Sequence, residues 1–353
     1  MSSYLPPKDI SLPEVTISAF TETGQAESSV VVPLQRVYTG PLGSTQHHTR
    51  NITHSEHSLP LLPSRRLHRK QLRLWHGIWT PPPDMEDREI RREALVGNQI
   101  VNLRLPPRRV WDLCSNRVVP WWSVDYWPKA ISHAWVGEKD RVDVQTPING
   151  YEWPVPIPND TSLDLVRIEM LNLGLEHVWL DVLCLRQVGG PGEDIRREEW
   201  KLDVPTIGAV YHQNRVVWYL SGLGRPLSLK EGDLESDRCW FRRAWTLQEV
   251  GMEREIAGDT PDGPMHTVHD GWKYETKLLA RFHEQLWSME HVLDTRLLML
   301  ENMRNRLSTN PVDKVAGLAF CLFSKTIPAY YENESVEEAW SALVNSMDAW
   351  GRG

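Results

Sequence analysis

Four cysteines in 353 residues, Cys114, Cys184, Cys239 and Cys321, are too few and too scattered for a disulfide framework. They form no CxxC pair and no short Cys/His pairing, so they carry no zinc signature. No apolar run approaches the roughly 18 residues of a membrane span, and no basic-then-apolar leader follows Met1. An excess of basic charge is also missing. The formal net charge is −8, which argues against a nucleic-acid-binding face. These absences lead us to expect a soluble, cytoplasmic protein with no membrane span and no nucleic-acid partner. The matches to N-x-S/T at Asn51, Asn159 and Asn333 then read as chance.

Phenylalanine is scarce as well, at 5 residues, whereas tryptophan reaches 17. Trp adds one N–H donor to a large apolar surface, so a Trp-rich core needs buried acceptors. A hydrophobic content of 41% is ordinary for a globular chain, and the length suits one large domain or two.

Residues 1–70 are rich in Ser, Thr, Pro and His and show no sustained period, which predicts a loosely ordered arm. Within it, "HHTRNITHSEHS" holds His47, His48, His54 and His57, and reads as a solvated polar tract rather than a metal site. The basic run "RRLHRKQLRLW" (65–75) reads as a solvated segment. Residues 71–126 are a lead-in, with a helix-favouring run after "PPPD" and strand-like pieces in "LPPRRVWDLCSNRVVPWW".

From 127 to 255 the pattern alternates. "KAISHAW" (129–135), "HVWLDVLCL" (177–185) and "RVVWYLSG" (215–222) read as strands apolar on both faces. "TSLDLVRIEMLNLG" (161–174), the stretch 193–214 and "DRCWFRRAWTLQEVGMERE" (237–255) read as helices. Strand-helix alternation of this kind predicts an α/β fold, a parallel sheet flanked by helices. Residues 256–353 predict a mostly helical extension. Its "SVEEAWSALVNSMDAW" opens with Ser335 and Glu338 at capping-box spacing.

Ligands of open parallel sheets bind beyond the carboxyl ends of the strands. That rule selects Ser132, His133 and Trp135 after the first strand and Asp181, Cys184 and Gln187 near the second. After the third it selects Ser221 and Gly222, which lead into the 237–255 segment with Glu249. Asp181 interrupts an apolar strand, where a carboxylate needs a partner. Arg243 is the candidate for a structural pairing, and contact with a ligand hydroxyl is the functional reading. On a helix, Arg238, Arg242, Trp245 and Glu249 would share one stripe, either a solvated face or a ligand site. Glu249 has no basic residue three or four positions before it, which favours a tertiary role over an intrahelical ion pair. "GGPGEDIRREE" lacks the glycine order of a phosphate loop, and Cys184 with His177 forms no recognisable nucleophile pair.

Four blocks in order, "AISHAWVG" (130–137), "VWLDVLCLRQ" (178–187) followed by "REEWKLDVPTIGAVYHQNRVVWYLSG" (197–222), "CWFRRAWTLQE" (239–249) and "NPVDKVAGLAFCL" (310–322), resemble the fungal heterokaryon incompatibility (HET) domain. The first three span about a third of the chain. The sequence departs from the family pattern at His133, where Tyr is usual, and at Val136, which is inserted before Gly137. It departs again at Arg186 in place of Asn and at Asp203 in place of Gln. The resemblance implies a role in non-self recognition and regulated cell death, with a protein partner or a homo-oligomer. HET domains are in turn similar to TIR domains, which implies a flavodoxin-like core. Some TIR domains cleave NAD+ with a glutamate in a W-x-x-x-E helix, the spacing of Trp245 and Glu249. On that analogy Glu249 is the catalytic carboxylate, and Ser132, Trp135, Asp181, Arg242, Arg243 and Trp245 line the ligand. NAD+ is then substrate, and no resident cofactor or metal is expected. The alternative is a non-catalytic assembly module.

Overall fold

The computed structural model describes residues 16–20, 26–31, 83–212, 215–267, 273–322 and 324–348. The chain divides into two units, 1–80 and 81–353. In the first, β1 (Thr16–Phe20) pairs antiparallel with β2 (Ala26–Val31). The expected loose arm, its four histidines and the basic run otherwise lie outside the described residues.

The second unit starts with helix α1 (Pro83–Ala94) and the short strands β3 (Leu95–Val96) and β4 (Gln99–Ile100). Strands β5 (Arg109–Asp112) and β6 (Arg117–Pro120) then form an antiparallel hairpin. Next come β7 (Lys129–His133), the small antiparallel pair β8 (Arg141–Val144) and β9 (Val155–Pro158), and helix α2 (Leu163–Asn172). Strand β10 (His177–Leu180) leads directly into the turn of helix α3 (Asp181–Cys184). Helices α4 (Glu193–Asp203) and α5 (Gly208–His212), strand β11 (Arg215–Tyr219) and strand β12 (Glu253–Ile256) follow.

The main sheet has the order β12-β11-β7-β10-β5-β6. The first four strands are parallel, and the β5–β6 hairpin adds an antiparallel edge beside β10. The strand-like pieces of the lead-in therefore belong to the sheet itself. β7 lies between β10 and β11, so the chain leaves it first to one side and later to the other, and the strand order reverses at the carboxyl ends of β7 and β11. Ile131, Leu180 and Val217 are fully covered, as two-sided burial of a parallel sheet requires.

Trp111, Trp153, Trp179, Trp218 and Trp240 are among the largest side chains with no exposed surface. Burying roughly 200 Å² of indole at about 25 cal/mol per Å² stabilises by roughly 5 kcal/mol each before entropic costs. Four of the five also donate their N–H, Trp111 to the half-buried Asn116 Oδ1, and Trp153, Trp218 and Trp240 to buried acceptors, the Val182 carbonyl, the Glu249 carbonyl and Ser132 Oγ. Phe could fill the same space but could not make these ties.

The extension is helical, as expected: α6 (Lys277–His291), α7 (Arg296–Arg304), α8 (Val312–Cys321) and α9 (Val336–Asp348), with the two-residue strand β13 (Ile327–Pro328) beside β4. Thr276 and Thr295 cap α6 and α7, which splits one long amphipathic stretch into two helices. Ser335 and Glu338 cap each other's amides at the start of α9.

The segment 237–255 is not the single helix its composition predicts. It makes two 3-10 turns, Trp240–Arg242 and Trp245–Leu247, and then enters β12. In an α-helix the Ala244 N–H would bond the Trp240 carbonyl. Here it bonds Leu307 O, and the Arg242 carbonyl accepts from Leu307 N. Thr246 Oγ1 donates to Trp240 O and Arg243 O, occupying carbonyls a helix would use. The shared stripe of Arg238, Arg242, Trp245 and Glu249 therefore does not exist.

Candidate functional site

The carboxyl end of β7 places Ser132 and His133 side by side in sequence and on opposite sides of the strand. Ser132 is wholly buried, and its hydroxyl donates to the Glu249 carboxylate Oε2. The same Oγ accepts the indole N–H of Trp240 at 2.7 Å. Trp can only donate, so the Ser132 proton is left free to face Glu249. Trp218, on β11, donates to the Glu249 carbonyl at 3.1 Å and lies against Trp240 with ring centroids 4.2 Å apart. Glu249 retains 8% of its surface.

On the other side, His133 Nε2 lies 2.9 Å from Asp181 Oδ1. Asp181 does not sit inside a buried strand. β10 ends at Leu180, and Asp181 opens α3, where its carboxylate also accepts the Val182 amide at 2.7 Å. That helical turn explains how an acid tolerates its place in "VWLDVLCL". Its partner is His133 rather than Arg243, which corrects the expected pairing. Gln187 closes the turn by donating to the Asp181 and Leu185 carbonyls.

The two acids have different electrostatics. Burial pushes the Glu249 carboxyl up to about 7, and the charge of Asp181 adds to the rise; the Ser132 hydrogen bond and the His133 and Arg306 charges oppose it. Near neutral pH Glu249 is therefore divided between its protonated and ionised forms, which suits general acid–base work. Burial alone would lower the His133 imidazole, but the charge and hydrogen bond of Asp181, with the charge of Glu249, raise it overall.

The remaining expected ligand residues divide. Trp135 stays near, its ring 5.5 Å from His133 and 5.9 Å from the Arg141 guanidinium. Arg242 turns to the Glu235 carbonyl and lies 3.8 Å from Asp237. Arg243 reaches Thr309 Oγ1. Trp245 packs 6.3 Å from the Tyr330 ring, whose hydroxyl donates to Asp313. The W-x-x-x-E spacing thus joins two residues with different surroundings, and the indoles that touch the Glu249 assembly are Trp218 and Trp240. Cys184 is buried with its thiol pushed up to about 12 by desolvation, which disfavours the thiolate.

Trp240 is the member that sequence reasoning left out of the site, and His133, though named at the end of the first strand, was not paired with Asp181. Both stood inside the quoted blocks, but only the geometry pairs them with Asp181 and Ser132. Two of the residues that differ from the HET pattern are held in ion pairs. Asp203 is buried in an ion-pair network with Arg91 at 3.2 Å and Arg108 at 2.8 Å, tying α1 to α4. Arg186 pairs with Glu152 at 2.6 Å and lies over the Trp153 ring. Two surface clefts, one along Asp194–Glu198 and one between the 227–231 loop and the start of α6, are lined by other residues.

No family model, curated protein or solved structure matches this chain. Among the described residues no helix is long and apolar enough to cross a membrane, and no cluster of three or more His, Cys, Asp or Glu is arranged to hold a metal.

Proposed function

We propose that the chain is a heterokaryon-incompatibility-type effector of fungal cell death that hydrolyses NAD+ at the Ser132–Glu249 site. The observation that carries this reading is the position of Glu249: a buried carboxyl, poised near neutrality, bonded to Ser132 at the carboxyl end of the central strand. Numbered along the chain, the parallel strands run 2-1-3-4, the start of the flavodoxin-like order, and the site sits where such sheets bind nucleotides. That supports a TIR-like core. The strand order and the acid at its switch point replace the W-x-x-x-E helix as the support for this analogy.

In the proposed reaction the glycosidic C–N bond breaks and its electron pair leaves with nicotinamide. The ribosyl carbon passes through an oxocarbenium-like state stabilised by the Glu249 carboxylate. Water then bonds to that carbon while Glu249 takes its proton, giving ADP-ribose. His133 and Asp181 hold the rim of the site, with Trp135 beside them. The test is nicotinamide release from NAD+ by the purified chain against Glu249→Gln. A large loss of turnover in the variant is expected; equal turnover in the two proteins removes Glu249 from the chemistry.

One observation favours the second reading, a signalling module that works by protein–protein contact. Glu249 is nearly covered, so a substrate must first open the cluster. Cell death on expression of the chain without NAD+ turnover decides for that reading.

A further inference from the structure

Arg306 lies just beyond α7, in the helical extension, and retains 1% of its surface. A guanidinium in such a place ordinarily has a carboxylate against it, because burying a lone charge is costly. Among the described residues no ion pair reaches it. Its hydrogen bonds go to the Arg243 carbonyl at 2.8 Å, to Thr246 Oγ1 and to Met289 Sδ at 3.2 Å, and its Nε has no partner. Those first two acceptors belong to the turn that ends in Glu249, whose amide bonds the Thr246 carbonyl. Leu307 continues the same clamp by pairing with Arg242 and Ala244. Gln248 is held from two sides, by the Gly208 amide and by the Ala316 carbonyl.

We infer that Arg306 is a positioning residue for Glu249: it fixes the irregular 240–249 segment from the extension and supplies the buried positive charge that balances the Glu249 carboxylate. The cluster then contains two matched charge pairs, His133 with Asp181 in direct contact and Arg306 with Glu249 through the intervening turn. Burial pulls the Arg306 guanidinium down to about 10, so it stays charged at neutral pH, and the charge of Glu249 is among the influences that hold it up. Among the ionisable groups coupled to Glu249, the charge of Asp181 opposes its ionisation, His133, Arg243 and Arg306 favour it, and the buried Tyr211 phenol is kept neutral by it. Of these cations only Arg306 is both buried and without a carboxylate of its own. It follows that the extension is part of the site, and the HET-like block alone does not assemble it.

The test uses the full chain with 13C-labelled glutamate side chains, the Glu249 carboxyl signal being assigned by its loss in Glu249→Gln. Arg306→Lys retains the charge and should leave the Glu249 titration midpoint close to wild type, while amide exchange at Ala244 and Gln248 accelerates at least tenfold. Arg306→Met should raise the proton affinity of Glu249 by tenfold or more. A folded Arg306→Met protein with the wild-type midpoint overturns the inference. Should that variant fail to fold, Arg306→Met/Glu249→Gln is the deciding protein. Relief of the misfolding at pH 8 is expected when both charges go, and a double variant no better than Arg306→Met overturns the pairing. None of these readouts needs turnover, so failure here and failure of NAD+ hydrolysis are distinguishable.

Discussion

Trp240 donates its indole N–H to Ser132 Oγ at 2.7 Å, and the Ser132 hydroxyl contacts the Glu249 carboxylate. The residue that orients the serine therefore comes from the same segment as the acid, nine positions earlier. This loop-back is possible because the segment makes two 3-10 turns rather than a helix. In a regular helix, residues 240 and 249 would be about 13 Å apart along the axis, beyond the reach of one serine.

The Glu249 carboxyl makes stability depend on pH. Its folded value is raised above the ordinary 4.5, so its contribution is full below pH 4.5 and lost as pH rises through about 7. The size is roughly 3 kcal/mol, from a rise of about 2.5 pH units at 1.36 kcal/mol each. Glu249→Gln should remove this decline, so the unfolding free energy of the variant gains on wild type between pH 4.5 and 7 and tracks it at higher pH. Parallel curves for the two proteins across that window, from urea titrations, contradict the assignment.

His133 has the same sign with a later window. Its imidazole is raised by Asp181, so the stabilisation from its charged form is complete below pH 6.5 and fades as pH rises through the higher folded value. Wild type should therefore exceed His133→Gln in urea midpoint by more at pH 6 than at pH 9. An advantage that stays constant between those values would show that the ring serves by packing alone.

The sheet was largely legible because its strands are apolar on both faces and its helices carry ordinary caps. Ser162 accepts the Leu165 amide and Ser335 shares its cap with Glu338, as their spacing predicts. The 237–255 segment was not, because its charged and aromatic composition suits a helix equally well. What redirects it is a partner some 60 residues away, Leu307, together with local bonding by Thr246. Ser132 and Glu249 were each visible as candidates. Their contact was not, since no spacing rule joins residues 117 positions apart in different elements.

Gly208 reports on the same clamp. Its amide bonds Gln248 Oε1 at 3.1 Å, and a methyl group at its Cα would overlap the Phe320 ring of α8. Gly208→Ala should destabilise the fold by about 2 kcal/mol through overpacking. Adding Phe320→Leu should recover part of that loss in thermal unfolding. A single variant as stable as wild type means that α8 can shift away, and that the hold on Gln248 is looser than its geometry indicates.

The two tryptophans of the segment separate the geometric site from the spacing motif. Trp245→Phe keeps a ring beside Tyr330 and trims part of the indole surface, so it should cost about 1 kcal/mol of stability and leave the Glu249 titration unchanged. Trp240→Phe removes the donor that fills a lone pair of Ser132. The freed oxygen can then accept a hydrogen bond from the O–H of protonated Glu249, which stabilises the protonated acid and moves its titration upward. It also leaves a buried oxygen one bond short, at about 1–3 kcal/mol. Carboxyl chemical shifts followed from pH 5 to 9 distinguish the two. If Trp245→Phe moves the Glu249 midpoint and Trp240→Phe does not, the W-x-x-x-E pair is the functional unit and the Trp240–Ser132 bond is only packing.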